Sequence, residues 1–209
     1  MKQETVKVFG LDRHRIGIDG EGVTTLVTLH GCPLRCKYCI NPQCNDAEYH
    51  CVELTAEKTV ELCMKDNLYF LATGGGLTVG GGEPLLHPQY IEELRRAMPE
   101  EWKLNIETSL NVPQKNIEHI ADSVNYFIID VKDMNPEIYI KYTGRENQLV
   151  INNLRYIAER GLQDKCKLRL PLILSYNKEK DREASKAKLE ALGFANFDEF
   201  EYRVDSEVK

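Results

Sequence analysis

The segment Gly17-Ile-Asp-Gly-Glu-Gly-Val-Thr-Thr-Leu-Val-Thr-Leu-His-Gly-Cys-Pro-Leu-Arg-Cys-Lys-Tyr-Cys-Ile-Asn-Pro42 runs from a glycine-rich turn through an apolar strand into a cysteine loop. Gly17, Gly20 and Gly22 enclose Asp19 and Glu21, in a turn that needs residues tolerant of positive φ. Thr25 to Leu29 reads as a buried strand. It leads straight to Cys32, Cys36 and Cys39, a C-x3-C-x2-C triplet with Tyr38 just before the last cysteine. Cysteine thiolates hold iron–sulfur clusters, four of them in the usual 4Fe-4S cubane. Three on one short loop hold three irons and leave the fourth open, and an open position marks a catalytic metal site. Alone, the triplet says metal, with iron–sulfur ahead. A zinc or redox binding module stays open, although structural zinc takes four ligands and no fourth is evident.

Composition narrows the classes around this loop. With 209 residues, 42% hydrophobic and 29% charged, the chain can bury one substantial core. There is no Pro/Gly/Ser linker and no repeat, so residues 1–209 are expected to form a single domain. A net charge of −6 and a pI near 5.5 argue against a nucleic-acid footprint, which needs a clustered basic face. The densest run of cations, Lys178 to Lys188, alternates with Glu and Asp like a solvated helix face. No stretch approaches the ~20 apolar residues of a membrane span, and Met1-Lys-Gln-Glu-Thr5 lacks the apolar core of a signal peptide. The expected compartment is the cytoplasm. In a reducing compartment the seven cysteines are expected to be metal ligands or thiols rather than disulfides. Cys63 and Cys166 read as small buried hydrophobes. Cys44 and Cys51, in a polar segment after the triplet, are candidate ligands of a second metal, with loose spacing and no fourth partner.

Strands and helices alternate along the rest of the chain. Thr5 to Phe9 reads as a short edge strand. Leu54 to Leu71 reads as a helix capped by Thr55, with Val60, Cys63, Met64 and Leu68 on its core face. In the block from Leu77 to Pro84 a short strand ends abruptly in three glycines and an acid, Gly80 to Glu83. Pro88 opens a helix with Ile91, Leu94 and Met98 on one face. Lys103 to Ser109 is the next strand, and Ile117, Ile120, Ala121 and Val124 mark the next helix. Tyr126 to Lys132 is an apolar strand of the kind covered on both faces. Leu149 to Arg160 is a helix stopped by Gly161. Lys167 to Leu174 is a strand with Pro171 towards its end. Glu183 to Leu192 is the last helix, and Phe197 to Val204 reads as a sixth strand. The fold class is therefore α/β, a parallel β/α succession of about six units, short of a closed eight-unit barrel.

In such folds the active site lies at the C-terminal ends of the strands. One strand ends in the cysteine loop, the next in Gly80, Gly81, Gly82 and Glu83. Glu107 and Thr108 follow, then Asp130 and Lys132, while Arg169 lies on the 167–174 strand. Each alone has a plain structural explanation as a turn residue, a surface pair or a strand ion pair. All five on one rim point to a ligand site.

The triplet Cys32, Cys36, Cys39 and the Gly81-Gly-Glu-Pro84 segment resemble the radical S-adenosylmethionine (SAM) enzymes. Asp19-Gly-Glu-Gly22, Thr73 to Glu83, Asp130-Val-Lys132, Lys141-Tyr-Thr-Gly144 and Arg169-Leu-Pro171 are similar to the activating enzymes of glycyl radical enzymes within that superfamily. The resemblance runs in order from about Phe9 to Asn177. It implies a partial (β/α)6 parallel barrel of the radical SAM type. It implies a 4Fe-4S cluster on Cys32, Cys36 and Cys39, which form the catalytic centre. Gly80, Gly81, Gly82 and Glu83 would take the methionyl ammonium of SAM, Lys132 its carboxylate, Arg169 would line the same ligand, and Tyr38 would lie near the adenine. Glu107, Thr108 and Asp130 match positions where such activases bind a monovalent cation, with Glu107 standing where the family commonly has Asp. The implied chemistry is cleavage of SAM to methionine and a 5′-deoxyadenosyl radical, which takes hydrogen from a glycine of a partner glycyl radical enzyme. A flavodoxin- or ferredoxin-type donor would supply the electron, under anaerobic conditions, with neither nucleic acid nor membrane involved.

The chain departs from the family in places. Ile40 follows Cys39 where many activases have His, the span from Cys39 to Gly74 has no room for the ferredoxin-like insert of some activases, and Phe197 to Val204 lacks a histidine that some place near SAM. A radical SAM enzyme acting on a small molecule or peptide is the alternative reading. His30 and His87 flank motifs and read as structural.

Overall fold

The computed structural model describes residues 4–202. Its elements are β1 (Val6–Ile16), β2 (Val23–Leu29), β3 (Val52–Leu54), α1 (Ala56–Cys63), α2 (Asn67–Thr73), β4 (Gly76–Gly81), α3 (Pro88–Ala97), β5 (Lys103–Thr108), α4 (Gln114–Ile120), β6 (Tyr126–Asp130), α5 (Pro136–Thr143), α6 (Gln148–Glu159), β7 (Cys166–Leu172), α7 (Glu179–Glu190) and β8 (Phe197–Glu201). The strand order is β3-β1-β2-β4-β5-β6-β7-β8. β2 with β4, β4 with β5, and β7 with β8 pair in parallel, whereas β1 runs antiparallel to β2 and β3. The α/β class holds: β2, β4, β5, β6, β7 and β8, with helices between them, are the six β/α strands expected. No helix among the described residues is long and apolar enough to cross a membrane.

Several expectations need correction. The first strand is eleven residues rather than five, and it lies between β2 and β3 instead of at the edge. Its second half, Asp12 to Ile16, is charged and hides the strand from a hydrophobicity reading. The 54–71 helix is broken by a 3-10 turn at Met64–Asp66, which changes the phase of the buried face. Met64 and Leu68 therefore stand 44% and 76% exposed, and Phe70 takes the core position, its ring 4.8 Å from Trp102. The strand expected to reach Lys132 stops at Asp130, because Lys132 adopts φ 55°. Helix α5 was not anticipated: its apolar and polar residues give no clean stripe. Of the last strand, residues 203 and 204 lie outside the described residues.

The described chain divides into two compact units. The first holds the residues up to Cys32 with Asn41–Thr108 and Lys115–Ile128; the second holds Pro33–Ile40, Ser109–Gln114 and the residues from Ile129 onward. In the first unit, Leu26, Val27, Leu29, Leu77, Val79, Leu104 and Ile106 of the parallel strands are buried, and so are Ile91 and Leu94 of α3. Thr55 caps α1 by accepting from Lys58 N–H at 3.2 Å. The Asp19 turn seals the N-terminal ends of the strands: its carbonyl accepts from Thr78 Oγ1 at 2.5 Å and Asn105 Nδ2 at 3.3 Å. This part of the family resemblance is thus scaffold, at the end away from the cysteine loop.

The second unit has its own polar framework. Asn153 on α6 donates to the carbonyls of Leu110 and Val112, each at 2.8 Å, and fixes the 109–114 loop. Buried Asp133 accepts from Asn135 N–H, Asn177 and Ser185 at 2.8, 3.1 and 3.2 Å, tying the turn after β6 to α7. Burial pushes the Asp133 carboxyl above the usual carboxylate range.

Candidate active site

The C-terminal ends of β2 and β4 meet through backbone bonds in the first unit. Gly82 N–H donates to Leu29 C=O at 2.9 Å, and Glu83 N–H to Gly31 C=O at 2.8 Å. Glycine is required here twice over. Gly81 has φ 86°, which other L residues rarely adopt, and a Cβ on Gly82 would strike the carbonyls of Gly31 and Leu29. Gly31 N–H in turn donates to Cys44 C=O at 2.7 Å, and Cys32 N–H to Asn45 Oδ1 at 3.2 Å. Cys44 is buried, 1% exposed. Cys51 is half-buried. Glu83 is 1% exposed, and its Oε1 accepts from Leu85 N–H at 3.2 Å and Thr108 Oγ1 at 2.6 Å. Glu107 lies over Gly80, with Oε2 2.8 Å from where a Cβ would stand.

The second unit, taken by itself, holds residues 33–40 of the loop and a buried cationic group. Arg35 N–H donates to Thr143 C=O at 2.8 Å, Lys37 N–H to Tyr142 C=O at 3.1 Å, and Arg145 Nε to Pro33 C=O at 3.0 Å. The C-terminal turn of α5, ending at Gly144 with φ 74°, thus holds the segment that carries Cys36 and Cys39. The Lys141-Tyr-Thr-Gly144 motif acts as a clamp. Lys132 is buried, paired with Asp130, and donates to Tyr202 Oη at 2.9 Å. Burial opposes its ammonium, but Asp130 and then Tyr202 and Cys36 outweigh that and hold its pKa well above the ordinary lysine value. Tyr38 packs edge-on to Tyr176, ring centroids 5.8 Å apart, and tilted to Tyr142 at 6.2 Å. Arg169 is half-buried, opposite Asp198 in the β7–β8 register, with Nε 3.7 Å from its carboxylate.

The dividing line between the units falls inside the triplet, with Cys32 in the first and Cys36 and Cys39 in the second. Among the described residues, no three His, Cys, Asp or Glu side chains stand grouped as a metal would need. The donor set nevertheless suits an iron–sulfur cluster: Cys32 and Cys36 are half-buried, Cys39 is exposed, and no disulfide consumes any of the seven thiols. Cys63 and Cys166, both 1% exposed, have thiols pushed up by burial to about 11 and about 12. His30 bonds the Asp46 carbonyl at 2.8 Å, and His87 pairs with Glu4 at 3.1 Å. The sequence showed Tyr142 only as part of the Lys141-Tyr-Thr-Gly144 motif, with no role of its own, and did not single out Tyr176 or Tyr202; the three rings lie about Tyr38 and Lys132. Tyr176 and Tyr202, far apart in the chain, carry no spacing signal.

A β/α sheet with a cysteine loop and a glycine–glutamate turn at its strand ends defines a cofactor-dependent enzyme. The model of the radical SAM superfamily matches residues 26–186, and the chain belongs to that superfamily. It is 30% identical to the (2S)-3-sulfopropanediol dehydratase activating enzyme of Klebsiella oxytoca, over 81% of this chain and 72% of that one. It is 28% identical to the pyruvate formate-lyase-activating enzyme of Staphylococcus aureus (strain USA300), over 78% of this chain and 67% of that one. The crystal structure of Streptococcus suis SuiB bound to S-adenosylmethionine has the same fold, with a TM-score of 0.65 and 16% identity over 84% of this chain; the match spans 39% of SuiB. The superfamily brings with it an iron–sulfur cluster and SAM.

Proposed function

We propose that this chain is an activating enzyme of a glycyl radical enzyme: a radical SAM activase that reductively cleaves SAM at a 4Fe-4S cluster and removes hydrogen from a glycine of its protein partner. The observation that carries this reading is the 2.8 Å bond from Glu83 N–H to Gly31 C=O, which fastens the Gly-Gly-Glu turn to the residue before Cys32. Kinship with two activating enzymes supports the choice of this reaction among radical SAM chemistries.

In this reading Cys32, Cys36 and Cys39 hold the cluster. When bound, the cluster and SAM supply one-electron cleavage and hydrogen-atom abstraction; the protein supplies binding, orientation and exclusion of water. Gly80 to Gly82 offer backbone groups to the methionyl ammonium, and Glu83, held by Leu85 and Thr108, offers a fixed negative charge. Lys132 meets the SAM carboxylate, Arg169 lines the same ligand, and Tyr38 lies against the adenine. Glu107, Thr108 and Asp130 offer oxygen donors to a monovalent cation, the ligands a hard cation takes. The electron comes from a flavodoxin- or ferredoxin-type donor in an anaerobic cytoplasm.

The test is anaerobic reconstitution with iron and sulfide, followed by SAM, a reductant and a candidate glycyl radical enzyme. The expected results are 5′-deoxyadenosine release and a glycyl radical signal on the partner in electron paramagnetic resonance. Steady 5′-deoxyadenosine release with no radical on any glycyl radical enzyme overturns the activase reading. Colourless protein that takes up zinc and leaves SAM intact overturns the cluster assignment.

A further inference from the structure

The bonds that fasten the cysteine loop to the end of α5 also gather a set of positive charges. Arg35 N–H meets Thr143 C=O at 2.8 Å, Lys37 N–H meets Tyr142 C=O at 3.1 Å, and Arg145 Nε donates to Pro33 C=O at 3.0 Å. Arg35, Lys37, Lys141 and Arg145 are all exposed, and all belong to the second unit. Lys141 Nζ lies 5.8 Å from the centre of the Tyr176 ring. Residues 33–40 and 140–149 carry these four cations and one acid, Glu146, in a chain whose net charge is −6. The same segments line a cleft of about 510 Å³, whose walls include Pro33, Ile140, Arg145 and Leu149. Ile140 and Leu149 are 47% and 42% exposed, and Ile40, next to Cys39, is 83% exposed. Exposed apolar side chains rimmed by charge are the anatomy of a protein interface.

We propose that this collar of cations and its apolar cleft dock an acidic one-electron carrier protein. This rests on the reading of the chain as a reductively driven enzyme and says where its electron donor binds. Charge selects the partner. A basic surface on an otherwise acidic chain attracts an acidic protein to one face and repels it from the rest, which steers the encounter into one orientation. The size of the surface selects the kind of contact. A carrier has to arrive and leave, electron-transfer contacts are small, and four exposed cations about one cleft suit that class better than a permanent interface. Position selects the task. Arg35 and Lys37 flank Cys36 in the sequence, and Lys141 and Arg145 belong to the turn that holds the segment carrying Cys36 and Cys39. A carrier seated here stands at the cysteine loop itself.

The clamp uses the N–H of Lys37 and the carbonyls of Tyr142 and Thr143, so side-chain changes at 37 and 141 leave its bonds in place. Reconstituted wild type, the pair Lys37→Glu with Lys141→Glu, and the milder pair Lys37→Gln with Lys141→Gln are titrated anaerobically with an oxidised acidic flavodoxin by calorimetry. Titrations are run at about 20 mM and about 300 mM salt, on either side of strong screening. At low salt the wild type is expected to bind about tenfold more tightly than the glutamate pair, with the glutamine pair between, and high salt is expected to bring the three together. Release of 5′-deoxyadenosine should fall with affinity when reduced flavodoxin drives it and stay level when dithionite, which needs no docking surface, drives it. Equal flavodoxin affinities in the three proteins overturn the proposal. So does a loss of dithionite-driven release in the glutamine pair, which places the lysines in the reaction site. Weaker binding of a glycyl radical enzyme with flavodoxin binding unchanged gives the collar to the substrate protein and overturns it too. A wild type that releases no 5′-deoxyadenosine with either reductant overturns the proposed function itself, a separate failure, since flavodoxin binding is measured without turnover.

Discussion

Asp66 has no exposed side-chain surface, and Arg13, His14 and Thr25 surround its carboxylate; Arg13 Nε reaches Oδ2 at 2.8 Å and Thr25 Oγ1 at 3.0 Å. The Arg13 bonds, then the Thr25 hydroxyl, hold its carboxyl below the usual range despite burial. A lowered folded pKa contributes stability that is complete above the unfolded value of about 4 and fades as pH falls through the folded value. Asp66→Asn is expected to cost about 2–3 kcal/mol at neutral pH, the range for hydrogen bonds to a charged group. In denaturant titrations from pH 7 to pH 3 the gap from wild type should narrow only below about pH 4. The buried thiols make a second prediction at this scale. Iodoacetamide at pH 8 should label Cys36 and Cys39 of cluster-free protein within minutes and spare Cys63 and Cys166, as peptide mass spectrometry would show. The burial of Cys63 and Cys166 was legible from their place in apolar patterns. The environment of Asp66 was not, because Arg13 and Thr25 come from two strands that only pair in the fold.

Elements were legible where period and punctuation agreed. β4, β5, α3 and α6 fall within a residue or two of expectation, since apolar spacing, Pro88 and Gly161 all act locally. Helix α1 runs into a 3-10 turn because the chain must deliver Asp66 to Arg13, and propensity cannot register a demand made by a distant strand. Helix α5 escaped notice for a related reason: its worth lies in the carbonyls of Tyr142 and Thr143, which receive the cysteine loop, and a carbonyl looks alike in every residue. The end of β4 carries the prediction for this scale. Gly82→Ala must push against the carbonyls of Leu29 and Gly31, so it is expected to destabilise by about 1–3 kcal/mol and to weaken SAM binding. Chemical denaturation and calorimetry measure the two effects separately. Unchanged values in both would mean that the turn yields easily and is no rigid cradle.

Across the whole molecule, the buried core of each unit is built from residues other than the triplet, and the fold is expected to form without the cluster. A group that binds only the folded chain raises its stability by mass action. Reconstitution is therefore expected to raise Tm by several degrees, at roughly 2–4 °C per kcal/mol for a chain of this size. Cys36→Ala should fold, with the wild-type circular dichroism, and show no such rise. An equal rise in the variant would remove Cys36 from the ligand set. The sequence by itself determined the β/α class, the thiol chemistry and the superfamily, because strand period, ligand spacing and motif order are properties of the chain read locally and in order. The tertiary structure alone decided that Glu83 is bonded to Thr108 and Gly31, that α5 clamps the cysteine loop, and that the Tyr142 phenol is buried without a partner. Whether a buried polar group is satisfied depends on which distant residue reaches it, and that is known only once the chain has packed.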